Sequence, residues 1–147
     1  MLLRLRDKHR LSTAPQALAN IAIQAIEEGD PFDRRKEHFF AIGINDTNVS
    51  FAELVSLGID DMCLVDPAIA FQRAASECTA SVAFIHNHPD GDVRASDEDV
   101  IMTYQLIEFG EHIGITVLDH IVIGNSSEHK FYSIRKNHPA PWHWLGY

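Results

Sequence analysis

Apolar and polar positions along this chain follow two rhythms that alternate from one end to the other. The stretch "STAPQALANIAIQAIEEGD" is rich in Ala, Leu and Ile, has Ser12 or Thr13 as a candidate cap and Pro15 in its first turn, and stops before Gly29, so it predicts a helix. A polar bridge, "PFDRRK", leads to "EHFFAIGIND", an apolar run of strand length closed by the turn residues Asn45 and Asp46. In "VSFAELVSLGI" the apolar residues Phe51, Leu54, Val55 and Leu57 fit neither period cleanly, and a second strand, paired with the first as a hairpin, is the reading adopted. "DPAIAFQRAASEC" predicts a second helix with Asp66 as cap and Pro67 at its first position, followed by the short buried strand "ASVAFIH". From Ser96, "SDEDVIMTYQLIEFGEHIG" predicts the third and longest helix, with three acids in its first turn to suit the helix dipole. "ITVLDHIVIG" and "KFYSI" then read as strands separated by the polar turn "NSSEH".

Strands and helices mixed along the whole length predict one α/β domain, a mixed sheet flanked by helices, over residues 12–136. Residues 1–11 form a short basic N-terminal arm carrying Arg4, Arg6, Lys8 and Arg10, and residues 137–147 form an aromatic tail with Trp142 and Trp144. Packing on the domain surface is the commoner use of such aromatics, contact with a partner the other.

Composition narrows the function classes. The 147 residues suit a single domain, and 46% hydrophobic with 22% charged residues is globular rather than disordered. The formal charge of −9, from 21 acids against 12 bases, leaves no broad positive field for a phosphate backbone or an anionic membrane. Charges interrupt the apolar start of "MLLRLRDKHR", so it lacks a signal-peptide core, and no later run reaches membrane-spanning length; the expected location is the cytoplasm. Cys63 and Cys78 make no CxxC pair and are expected to be reduced, partly buried thiols.

The chemistry concentrates in "FIHNHPDGDVRASDED". His86 and His88 are two apart at the end of an extended segment, so both imidazoles project to one side. Pro89 cannot continue a ladder and Gly91 frees a turn, so the chain leaves the sheet and returns as the helix that begins near Ser96, delivering Asp99 in its first turn. Two imidazoles, one carboxylate and a water are the open tetrahedral site of catalytic zinc. The plainer reading is a strand end followed by a capped helix: SxxD is usually a helix start, and HxH alone is weak, but their ordered combination within fourteen residues is far more specific.

HxHP, a glycine and SxxD, with seven residues between the second histidine and the serine, resemble the signature of the JAB/MPN metallopeptidases, and "HNHPDGD", "TVLDHIVIG" and "EHFFAIGIND" resemble the JAB domain of the bacterial RadC proteins from about Ser12 to about Arg135. The resemblance implies a three-layer, deaminase-like sandwich. It implies zinc held by His86, His88 and Asp99, Glu37 at the entrance of the first strand as the base that activates water, and Ser96 as hydrogen-bond donor to the developing oxyanion. From the residues alone, Glu53 and Glu77 compete with Glu37. His120 in "LDH" also resembles a RadC feature, and is read as a hydrogen-bonded structural histidine outside the site.

Two departures touch the loop: Asp90 and Ala95 stand where a serine and a proline are typical of RadC sequences. The short stretch ahead of the domain does not match the helix-hairpin-helix region that often precedes it, which weakens the expectation of DNA tethering. The leading expectation is a zinc-dependent peptidase or isopeptidase acting on a peptide or ubiquitin-like conjugate. The alternatives are a RadC-like accessory factor, binding DNA or a repair or mobile-element protein around a structural zinc, and a metal-free interaction domain.

Overall fold

The computed structural model describes residues 1–5, 12–58, 65–124 and 129–146. A five-stranded mixed sheet runs in the order β2-β1-β3-β4-β5, with β1 Glu37–Asn45, β2 Asn48–Gly58, β3 Ser81–Asn87, β4 Thr116–Ile123 and β5 Phe131–Ser133. β1 pairs antiparallel with both β2 and β3, β3 pairs parallel with β4, and β5 closes the edge antiparallel to β4. The parallel pair needs a crossover, and the long helix α4 (Asp97–Ile113) supplies it.

Burial on both faces explains why β1 and β3 read as continuous apolar runs rather than alternating ones. On one face α1 (Pro15–Glu28) packs Leu18, Ala22, Ile23 and Ile26 toward Phe40, Ile42, Ile85 and Ile121. On the other, α4 and the short helices α2 (Pro67–Ala70) and α3 (Gln72–Ser76) bring Leu106, Ile107, Phe71 and Ala74 to Phe39, Phe84, Val117 and Val122. The result is the three-layer arrangement of helix, sheet and helices that the element order and the resemblance led to expect.

The ambiguous rhythm of β2 has a structural cause. Its register against β1 shifts between Phe39 and Phe40 and again between Gly43 and Ile44. An extra residue resets which side faces which core, so Val49 and Phe51, which would share a face in a regular strand, bury in opposite clusters. Opposite Phe51 lies Gly43, where an added Cβ would sit 2.1 Å from the ring; only glycine lets the aromatic lie over the strand.

Several local expectations are revised. α1 starts on Ala14 without a side-chain cap: Ser12 Oγ accepts from the Ala14 N–H at 3.1 Å, ahead of the helix, and Pro15 needs no partner for a missing N–H. The single helix expected after Asp66 is two short ones, because Phe71 (φ −93, ψ −3) departs from helical geometry while its ring lies in the core against Phe84 and Phe109. β5 ends at Ser133, whose hydroxyl caps the helical turn α5 (Ile134–Asn137). Cys78 is exposed rather than partly buried, and Cys63, Arg6, Lys8, Arg10 and most of the turn "NSSEH" lie outside the described residues.

The aromatic segment packs on the domain. Trp142, in the short helix α6 (Ala140–Trp144), is fully buried in the α4-side core and donates from Nε1 to the Val117 carbonyl at 2.7 Å, while Trp144 stays exposed and stacks on Tyr104. Among the described residues no helix is long and apolar enough to cross a membrane.

Candidate metal centre

β3 ends where the chain must turn away, and its last residues set the site. The register Phe39↔His86 puts the His86 ring on the α4 side, stacked near Phe39. The His88 N–H still donates to the Ile123 carbonyl at 2.8 Å, which extends the parallel ladder one step and keeps the second ring on the same side. Beyond it the loop is tied by its own polar residues. The Gly91 N–H reaches the His88 carbonyl at 2.9 Å with Gly91 at φ 90, Asp90 Oδ1 accepts from the Asp92 N–H, and Asp92 Oδ1 accepts from the Arg94 N–H. Asp90 therefore closes the turn at the position where a serine is typical, and Ala95 packs against the core.

Ser96 then caps α4 in a reciprocal box: its hydroxyl accepts from the Asp99 N–H at 3.1 Å and its own N–H donates to Asp99 Oδ2 at 2.9 Å. The box directs the Asp99 carboxylate back toward the strand end. His86 Nε2 lies 3.1 Å from Asp99 Oδ1 and 3.1 Å from His88 Nε2, and His88 Nε2 lies 3.0 Å from Asp99 Oδ2. The SxxD motif is thus a helix start and a convergent donor at once, so the two readings of it do not compete.

Hydrogen bonds behind the rings settle which nitrogens face inward. His88 Nδ1 is 2.6 Å from the Asp92 carbonyl, which only accepts, so Nδ1 carries a proton and, in the neutral ring, Nε2 presents a lone pair. His86 Nδ1 is 2.7 Å from His120 Nε2. Two imidazole nitrogens and a carboxylate, with ligand atoms within 4.8 Å of one another, repel unless a cation or a proton lies among them, and their contacts of 3.0 and 3.1 Å are of the order of the edges of a tetrahedral zinc site, roughly 3.3 Å. The donor set could hold a metal ion.

The electrostatics agree. Burial opposes the charge on Asp99, but the imidazoles of His86 and His88, which donate to it when protonated, and the Ser96 N–H outweigh it and hold the carboxyl far below its usual range. For His88 burial also opposes charge, and the bonds to Asp99 and Asp92, with the charges of Asp99 and Glu37, raise its proton affinity. His120, wholly buried, is kept neutral chiefly by burial and then by the neighbouring His86.

Glu37 opens β1 and is largely buried. Continuing the β1–β3 register two residues past Phe39↔His86 brings it level with His88. Its competitors are placed elsewhere: Glu53 pairs with Arg73 at 2.6 Å, opposite Ala41 midway along the edge strand β2, and Glu77 is exposed at the end of α3. Asn87, between the two histidines, reaches β1: its Oδ1 accepts from the His38 N–H at 2.5 Å and its Nδ2 donates to the Lys36 carbonyl at 3.0 Å.

A family model described as the RadC-like JAB domain matches residues 12–139. This chain belongs to that family. The RadC-like JAB domain here is 43% identical over 104 residues to a protein of Desulforamulus reducens named "UPF0758 protein", an alignment covering 70% of this chain and 44% of that protein. It is 41% identical over 111 residues to one of the same name from Desulforudis audaxviator, covering 75% and 46%. A Methanosarcina mazei relative, also so named, is 39% identical over 94 residues, covering 63% and 41%. The chain spans less than half the length of these relatives, and their names state no activity. In this RadC-like domain His86, His88 and Asp99 form a group able to hold a metal ion, brought together from β3 and α4.

Thr103, one helical turn beyond Asp99, carried no motif signal and escaped the sequence reading, while His120, read there as a hydrogen-bonded structural histidine outside the site, is bonded and lies 2.7 Å from His86. The only available signal for Thr103 was its spacing of four from Asp99, which puts both on one face of α4.

Proposed function

We propose that this chain is a zinc-dependent hydrolase of peptide or isopeptide bonds, with a peptide or a ubiquitin-like conjugate as substrate, working in the cytoplasm. The observation that carries the reading is the convergence of His86 Nε2, His88 Nε2 and an Asp99 carboxylate oxygen on one point at the rim of the sheet. Zinc held by these three would supply Lewis acidity and a water acidified to a pKa of about 7.

The remaining work falls to the chain. Glu37, level with His88, takes the proton of the nucleophile on its carboxylate and passes it to the leaving nitrogen. The Ser96 Oγ accepts from the Asp99 N–H, which leaves its own proton to donate to the substrate carbonyl oxygen as negative charge develops there. Asn87 holds the backbone that carries Glu37, and Asp92 fixes the ring of His88.

The test is turnover of a panel of peptide and ubiquitin-like conjugates by wild type and Glu37→Gln, at matched zinc content and fold. Wild-type cleavage lost in the variant supports the proposal; equal activity rejects Glu37 as base. Nucleic-acid binding that weakens as salt rises, with no cleavage of any conjugate, would favour the accessory-factor alternative instead.

A further inference from the structure

We propose that Thr103 and His120 are positioning residues that lock His86 in the Nδ1–H tautomer and so aim its Nε2 lone pair at the metal; this rests on the metal site proposed above.

The direction of the relay follows from proton counting. Thr103 Oγ1 lies 2.7 Å from the Asp99 carbonyl oxygen and 2.6 Å from His120 Nδ1. A hydroxyl has one proton, and a carbonyl oxygen cannot donate, so the proton lies toward Asp99. The Thr103 oxygen can then only accept from His120, which places a proton on His120 Nδ1. His120 is fully buried, with Phe39 edge-on to its ring and Thr103 and His86 at its two nitrogens; because burying a charge there is costly the ring carries one proton, on Nδ1, and its Nε2 is an acceptor. The 2.7 Å contact to His86 Nδ1 must run from His86 to His120, which leaves His86 Nε2 without a proton, facing Asp99 Oδ1 at 3.1 Å.

The chain of bonds starts and ends on one residue. α4 supplies the carboxylate of Asp99 to the site and, through the backbone carbonyl of the same residue and Thr103 a turn later, the acceptor that orients a ligand from β3. Metal-binding histidines usually donate their second N–H to a carboxylate or a carbonyl. A neutral histidine has no fixed polarity, so here Thr103 is required to impose one.

The experiment reads tautomers and metal affinity rather than turnover. Ring nitrogen shifts from long-range proton–nitrogen correlation spectra of the metal-free protein should report His86 and His120 as Nδ1–H in wild type. Thr103→Val, nearly isosteric, should mix the His86 tautomers and weaken zinc and cobalt binding by about tenfold, within the 10- to 100-fold range seen for partners of metal ligands. Thr103→Ser should restore both, and His120→Phe should weaken binding at least as much as Thr103→Val. A wild-type His86 in the Nε2–H form overturns the relay, as does zinc affinity within twofold of wild type in a folded Thr103→Val. If wild type binds neither metal, the zinc hydrolase reading fails; the tautomer spectra then still decide whether the relay exists.

Discussion

Asn87 holds the peptide units on both sides of Glu37. Its side chain donates to the carbonyl before that residue and accepts from the N–H after it, so the amide between the two histidines in sequence fixes the strand that carries the proposed base. Asn87→Ala takes the side-chain acceptor from the buried His38 N–H, while the Lys36 carbonyl keeps its bond to His38 Nδ1, an expected loss of about 1–3 kcal/mol in denaturant unfolding. Zinc content should be unchanged while turnover falls; an intact rate would detach the clamp from the proposed catalysis.

Asp99 is the helix-start acceptor and the proposed metal ligand, and two substitutions separate the roles. Asp99→Ala should abolish metal binding and cost about 0.5–2 kcal/mol of metal-free stability through loss of the capping box. Asp99→Asn keeps an acceptor for the Ser96 N–H, so its metal-free stability should stay closer to wild type while elemental analysis shows metal lost. In wild type, zinc at a hundred times its dissociation constant should add about 2.7 kcal/mol to unfolding. Full metal retention in Asp99→Ala would remove this residue from the site.

Ser96 is exposed at the same helix start, and glycine there distinguishes cap from donor. Glycine at an N-cap costs only a few tenths of a kcal/mol, whereas a missing oxyanion donor costs on the order of 10²–10³ in turnover. Ser96→Gly should therefore unfold near the wild-type midpoint and cleave far more slowly. A variant of wild-type rate would confine the hydroxyl to capping.

Trp142→Ala tests whether the aromatic segment is part of the fold. The ring is fully buried and its N–H is bonded to β4, so truncation should cost about 3–5 kcal/mol, read from the shift in denaturant midpoint at constant slope. A change below about 1 kcal/mol would mean the segment contributes little to the folded state.

Gly43→Ala drives a methyl into the Phe51 ring from the facing strand. The expected destabilisation is about 1–3 kcal/mol, as for other overpacked cores. Coupling with Phe51→Ala, which opens the space, should recover part of it in a double-mutant cycle; strict additivity would argue that the two do not touch.

Most of the fold is local enough to be written in one dimension. Helix starts at Pro15 and Ser96, the hairpin at Asn45 and Asp46, and the unbroken apolar runs of β1 and β3 follow from capping, turn chemistry and burial, each set by a few neighbouring residues. The convergence of the two histidines was legible because strand alternation fixes their common side, and that of Asp99 because SxxD places it at a helix start. β2 was ambiguous for the opposite reason: its bulges are decided by pairing with β1, and period counting assumes a regular strand.

Only the tertiary structure decided where Glu37 stands. It comes level with His88 when the β1–β3 register is continued, across residues distant in sequence; from the residues alone Glu53 and Glu77 competed with it, and the resemblance singled it out. The same holds for Thr103 and His120, whose relay depends on α4 crossing over β4 at hydrogen-bond distance, and for Trp142, which composition could not assign to core or surface. Local spacing determines which side chains are offered; packing of the layers determines which of them meet.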